Sequence, residues 1–253
     1  MSLSKKIISE VRSEYSQRSF IPRNELYQFL KDRFLPNLKE TTFRWYVYEL
    51  KKSGLLDSVR RGVYKISENK SVYEPFTDKI HKKISNLIST GYPDVSYCVW
   101  SSNWFNQFSV HQVSSNIVIV EVEKDLMFSV FYLLNDNGFK DIYVNPDKKT
   151  YDTYISQNKE SIIVKQLVTK SPLQEIKNVK TPKIEKMLVD LISDTETFIS
   201  YQGHESITIL KNAFKEFQIN FTTLINYSRR RKKDVMLKKI LKEKLKISED
   251  LLK

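Results

Sequence analysis

The 253-residue chain carries one cysteine, five glycines and no long apolar run. The single thiol, Cys98, rules out a disulfide within the chain and suits a reduced, cytoplasmic setting. Lying in an aromatic stretch, it reads as a small buried hydrophobe. Five glycines leave little material for a glycine-rich phosphate loop, and the sequence contains none. No segment approaches the roughly 18 apolar residues of a spanning helix. No apolar stretch follows the basic N-terminus in the manner of a signal peptide. A cytoplasmic protein without a membrane partner is expected. His81, His111 and His204 stand far apart and beside no Cys or Asp/Glu pair at metal-ligand spacing, so no metal and no cofactor are expected. No serine has a nucleophile-elbow setting. The expectation is a protein that is not an enzyme.

Acidic charge is also short: 30 Asp and Glu face 42 Lys and Arg, a net +12. The excess is uneven. Residues 1–70 hold 15 cations against 8 anions, residues 71–190 hold 14 against 14, and residues 191–253 hold 13 against 8. Two basic ends around a neutral middle suit a polyanion, because each neutralised phosphate releases counterions. Hydrophobic residues make up 40 % of the chain and aromatics 12 %, enough for a substantial core.

The first seventy residues read as helix, helix, helix, hairpin. Ile7, Ile8, Val11 and Tyr15 fall at helical spacing, and 23–34 form a second helix with Leu26, Phe29 and Leu30 inward. Thr41 or Thr42 caps a third helix that Gly54 ends. Within it Phe43, Tyr46, Val47 and Leu50 must face a core. That leaves Arg44, Trp45, Tyr48 and Lys52 outward, with Lys39, Thr41 and Thr42 at the start. Leu56 to Ile66 then alternates about Arg60-Arg61-Gly62, with Val59, Val63 and Tyr64 packing back. The order is that of a winged helix-turn-helix. The third helix would read base edges, and Arg60 and Arg61 at the wing tip would hold the backbone or minor groove.

From 76 to 175 strands alternate with helices: a helix over 79–89, a strand over 95–100, a short helix over 103–108, a strand over 117–122, a helix over 126–135, and strands over 142–144 and 162–167. This argues an α/β domain with one sheet. Thr181-Pro182 supplies a cap and a first turn, and 181–253 reads as all helix. Tyr227 followed by Arg229, Arg230, Arg231, Lys232 and Lys233 forms a candidate phosphate or partner patch in this basic tail.

Pro93-Asp94, with Glu121-Val122-Glu123-Lys124 at a strand end, resembles the active-site layout of the PD-(D/E)xK nucleases. Alternation puts Glu121 and Glu123 on one strand face and Lys124 on the other, one position out of place. A sheet of that kind with its catalysis lost is the expectation; a Mg²⁺-dependent nuclease using Asp94, Glu121 and Glu123 is the rival.

Arg60-Arg61-Gly62-Val63-Tyr64, the Pro-x-x-Glu-Lys-x-x-x-Asp-Leu helix from Pro182 to Leu191, Tyr97-Cys98-Val99-Trp100-Ser101 and Val120-Glu121-Val122-Glu123-Lys124-Asp125 together resemble AbiEi-type antitoxins of bacterial abortive-infection toxin–antitoxin systems, including an uncharacterised bacterial branch of that group. The resemblance spans most of the chain, though the basic tail is longer than the family pattern. It implies a winged helix on the operon's own promoter and an α/β-plus-helical part that neutralises a nucleotidyltransferase-type toxin. The expected molecule is α+β: a winged helix-turn-helix over 1–70, an α/β domain over 76–175 and a helical region over 181–253. Its expected function is DNA-binding regulation through double-stranded DNA. A protein-interaction adaptor is the third alternative.

Overall fold

Ile7, Val11 and Tyr15 form one buried stripe on α1 (Leu3–Tyr15). Helix α2 (Arg23–Arg33) buries Leu26 and Leu30, and α3 (Glu40–Lys52) buries Phe43, Val47 and Leu50. The three stripes share one core. The computed structural model describes residues 3–18, 20–67 and 70–252.

The end of α3 follows from its sequence. Gly54 adopts φ +71°, its N–H bonds to the Lys51 carbonyl, and Leu55 N–H reaches the Leu50 carbonyl at 3.0 Å. This is a Schellman-type end, which favours glycine because the left-handed backbone there crowds a Cβ. The chain passes directly into β2 (Leu56–Arg60) and β3 (Val63–Ile66), an antiparallel hairpin about Arg61-Gly62 with a register shift between Ser58 and Arg60. Strand β1 (Ile21–Pro22) pairs with β3, giving the order β1-β3-β2. Pro22 therefore lies on an edge strand, the position in a sheet that tolerates proline.

This first unit comprises Met1–Val72 together with Glu216–Thr222 and Ser248–Lys253. The returning residues are tied in by polar contacts. Phe217 bridges Ser71, Gln218 Nε2 donates to Asp57 Oδ1 at 3.0 Å, and Arg61 N–H donates to Thr222 Oγ1 at 3.4 Å. Both segments come from the stretch read as the helical region over 181–253.

The second unit, Tyr73–Lys215 with Thr223–Ile247, is built on a four-stranded sheet. Strand β4 (Tyr97–Ser101) runs antiparallel to β5 (Asn116–Val122). Strand β7 (Glu160–Gln166) lies parallel to β5 on one side and to β6 (Ile142–Val144) on the other. Helices α4 (Lys79–Gly91) and α5 (Met127–Asp136) cover the face carrying Val99, Val118, Val120 and Val164. The other face carries Cys98, Trp100, Glu121 and Lys165, and α7 (Ile184–Ser193) reaches it through Lys186. Being covered on both sides, β4 is buried along its whole length. The molecule is thus α+β, and among its described residues no helix is long and apolar enough to cross a membrane.

Three local expectations are corrected. Thr181 and Pro182 do not start a helix. They end β9 (Val179–Pro182), which forms a hairpin with β8 (Leu173–Ile176), and Lys183 is the residue that caps α7. Neither Thr41 nor Thr42 caps α3, because Lys39 holds the cap position and both threonines lie in the first turn. Helix α6 (Lys148–Thr153) stands where no element was expected, capped by Asp147, whose carboxylate accepts from Thr150 N–H. The remaining helices are α8 (His204–Glu216), α9 (Phe221–Arg230) and α10 (Asp234–Leu245).

Candidate nucleic-acid interface and buried charge cluster

Burial of Phe43, Val47 and Leu50 leaves the opposite face of α3 outward. Lys39, Thr41, Thr42, Arg44, Trp45, Tyr48 and Lys52 are all exposed, Trp45 by 51 % and Tyr48 by 60 %. Glu40, in the first turn, pairs with Arg23 and lies 3.6 Å from Arg44 Nε, so this end of the face is partly self-neutralised. Arg23 also donates its backbone N–H to the Gly62 carbonyl at 2.8 Å. One residue thereby ties the hairpin turn to the start of α3.

The two wing arginines differ. Arg61 is exposed at the turn, whereas Arg60 is half-buried and its Nε is buried without a hydrogen-bond partner among the described residues. The expectation that both extend from the tip holds for Arg61 only. Arg60 precedes the turn, at the register shift in β2.

The basic cluster after α8 also divides. Tyr227 is buried, with its hydroxyl 2.9 Å from Asp190 Oδ1, and Arg231 Nε lies 3.2 Å from the same oxygen. Tyr227 is therefore no part of a surface patch. Arg229 and Arg230 are exposed at the end of α9, where they donate to Asn226 and Thr169. Lys232 is exposed at φ +55° in the turn before α10, and Lys233 is half-buried.

Tyr227 and Arg231 join a charge cluster that periodicity did not predict. Lys186 Nζ, fully buried, donates to Glu121 Oε1 at 2.9 Å, to Glu121 Oε2 at 2.6 Å and to Asp190 Oδ2 at 2.5 Å. Trp100 Nε1 donates to Glu121 Oε2 at 3.1 Å. Burial opposes the Lys186 charge, but Asp190 and Glu121 outweigh it and hold its pKa well above the usual lysine range. Burial pushes Glu121 upward against the pull of Lys186. Cys98 faces Glu121 across the β4–β5 ladder; burial first, and that carboxylate second, push its thiol well up. Such a thiol is unreactive. At the end of α7, Lys165 pairs with Asp194 and donates to Thr197 Oγ1 at 2.9 Å. Although burial favours a neutral Asp194, Lys165 holds its pKa below the ordinary aspartate value.

The residues of the nuclease rival do not converge. Asp94 is exposed in the turn before β4, and Glu121 is sealed against Lys186. Glu123 lies past the end of β5, accepting from Ser96 N–H at 3.2 Å. Strand alternation therefore does not extend to Glu123. Lys124 starts a short 3₁₀ turn, and among the described residues no group of three His, Cys, Asp or Glu side chains is placed to hold a metal. His81 has a different partner set: Nδ1 lies 2.7 Å from Asp78 Oδ1 and Nε2 lies 2.9 Å from Ser101 Oγ. Ser101 is fully buried, so this chain fastens the start of α4 to β4 and presents no accessible nucleophile.

A family model described as a family of unknown function, DUF6577, matches residues 42–247, well over half of the chain. The chain belongs to DUF6577. The DUF6577 match opens in the first turn of α3 and runs through the hairpin, the second unit and α10, so it takes in both the exposed α3 face from Thr42 onward and the whole charge cluster. No curated protein matches the sequence.

Proposed function

We propose that this DUF6577 protein is a DNA-binding transcriptional regulator whose first unit is a winged helix-turn-helix. One observation carries the reading: a helix with an exposed Arg, Trp, Tyr and Lys face shares a small unit with a hairpin whose turn exposes Arg61. Their order, with α2 and α3 ahead of β2 and β3, fits a reading helix followed by a wing. The first turn of α3 would meet base edges through Thr41, Thr42 and Arg44, with Trp45 and Tyr48 against the sugar-phosphate wall and Arg61 on the backbone or in the minor groove. Resemblance to AbiEi-type antitoxins extends the proposal to the protein's own promoter as operator and to a nucleotidyltransferase-like toxin as partner of the second unit. The test is a gel shift of the full chain with a duplex from upstream of its own gene and with a scrambled duplex. Tighter binding to the upstream duplex, weakening steeply with added salt, is expected. Equal affinity for both, or no dependence on salt, overturns the proposal.

A further inference from the structure

Helix α5 is apolar nearly all round, the pattern of a buried helix, yet much of it is uncovered. Val130 and Leu134 are its buried residues, while Phe128 is 63 % and Tyr132 59 % exposed. Phe131 stands edge-on to Tyr132, with ring centroids 5.2 Å apart, and is itself only half-buried. Residues 127–135 hold no charged side chain, in a chain that is 28 % charged. An aromatic patch of this kind on a surface helix marks a contact with another molecule.

The patch lies above a sheet edge. Strand β6 ends the order β4-β5-β7-β6. Helix α4 packs on β4 and β9, and α5 on β6 and β7. Leu133 lies toward α4, since a Cβ on Gly91 would stand 3.6 Å from its Cδ2. At about 100° per residue, Phe131 and Phe128 lie about 160° and 140° round the helix from Leu133, on the β6 side. The Asp141 carbonyl accepts from Ile162 N–H at 2.9 Å, and Asn145 N–H donates to the Val164 carbonyl at 2.8 Å. By alternation Tyr143 also bonds to β7, while Ile142 and Val144 turn their N–H and C=O groups to the open edge.

We propose that a second copy of this chain docks here, β6 against β6 about a two-fold axis, joining the two sheets into one. The edge is complementary to itself. With Tyr143 opposite Tyr143, Ile142 of each copy faces Val144 of the other, and each such pair exchanges both hydrogen bonds. No other register about a two-fold axis opposes both outward residues at once. Ile142 and Val144 pack into the core beneath α5, so the two α5 helices come to lie on one face of the joined sheet. Phe128, Phe131 and Tyr132 of the two copies then cover one another. Charge selects the same partner: exposed Lys140 precedes the strand and exposed Asp147 follows it, so antiparallel pairing brings unlike charges together at both ends. The uncharged helix face adds no repulsion between two chains of net charge +12. Edge and patch both belong to the second unit, and the proposal does not rest on the DNA-binding reading of the first.

The experiment is sedimentation velocity of the full chain from micromolar to near-millimolar concentration, with disulfide trapping alongside. A monomer–dimer equilibrium is expected. Phe128→Lys combined with Tyr132→Lys, both at exposed positions, should weaken it about ten-fold or more with an unchanged circular dichroism spectrum. Val144→Pro removes an outward N–H and leaves the bonds to β7 in place, so it should do the same. Val235→Lys, at an exposed apolar position on α10, should leave the dimer as it is. Opposed Tyr143 residues have Cα atoms about 4.5 Å apart in this register, within disulfide reach. Tyr143→Cys should therefore cross-link on oxidation, whereas wild type, with Cys98 buried, should not. A chain monomeric throughout, the result expected if the edge serves a strand of a different protein, overturns the proposal. So does a dimer that is indifferent to the Phe128 and Tyr132 substitutions, or one that Tyr143→Cys fails to trap.

Discussion

Lys186 Nζ lies 2.6 Å from Glu121 Oε2, with both side chains closed to solvent and the two residues 65 positions apart in the sequence. This pair joins α7 to the middle of the sheet, and Asp190, one turn further along α7, gives the ammonium its second anion. A buried pair of this kind adds little net stability, because desolvating the charges offsets their attraction. Removing one partner is costly, since it leaves the other uncompensated.

Lys186→Met should accordingly lower unfolding stability by about 3–5 kcal/mol, as two buried carboxylates lose their shared cation. Glu121→Gln should cost less, because Asp190 still faces Lys186 and the amide oxygen still accepts. Urea denaturation of both variants checks the order. A Lys186→Met variant within about 1 kcal/mol of wild type would show that water reaches this cluster.

How far the sequence announced these features depended on range. The alternation from Leu56 to Ile66 and the Phe43, Val47, Leu50 stripe are local patterns, and each element formed where its pattern lay. The β-branched run of β5 was equally legible. The β8–β9 hairpin was not. Its two-residue turn is Lys177-Asn178, both at positive φ, and a turn of that geometry normally declares itself by glycine. Thr181-Pro182 then imitated a helix start, although a strand end accepts proline as well. For the charge cluster, Lys186 and Asp190 at i and i+4 were visible, but nothing local says that Lys186 also meets Glu121 or that Tyr227 and Arg231 turn inward.

Gly62 carries the next prediction. Its φ is +74°, and an added Cβ would lie 3.8 Å from the Arg23 Cβ, an ordinary contact. Gly62→Ala should therefore be disfavoured by backbone conformation, not by a clash, at a cost of about 1–2 kcal/mol. Gly62→Asn should cost less, since asparagine tolerates the left-handed region. Thermal melts of the two variants separate conformational from steric causes: a clash would make the larger asparagine worse.

His81 sets a pH dependence. Burial lowers its pKa below the ordinary 6.5, against the pull of Asp78. At pH values between the lowered folded value and about 6.5, the unfolded chain binds more protons than the folded one. The stability His81 contributes is therefore fully present above pH 6.5 and declines as pH falls toward the folded pKa. Melting temperatures of wild type and His81→Gln, compared at pH 7.5 and pH 5, should converge at the lower pH. A gap that stays constant would show that His81 does not titrate differently on folding.

The DNA-binding proposal predicts different failures at its two contacts. Arg61 would touch phosphate or the minor groove, so Arg61→Ala should weaken upstream and scrambled duplexes by similar factors and reduce the salt slope by about 1. Arg44 would read a base edge, so Arg44→Ala should cost about 1–3 kcal/mol on the upstream duplex and much less on the scrambled one. Fluorescence anisotropy titrations at two salt concentrations distinguish these effects. Neighbouring charge matters to the comparison, because Glu40 lies 3.6 Å from Arg44 Nε and already competes for its guanidinium. Glu40→Gln should then strengthen binding to both duplexes by removing a negative charge from the reading end of α3. If Glu40→Gln weakens binding instead, its pair with Arg23 is positioning the wing, and the turn fixed by Arg23 becomes the element that sets affinity.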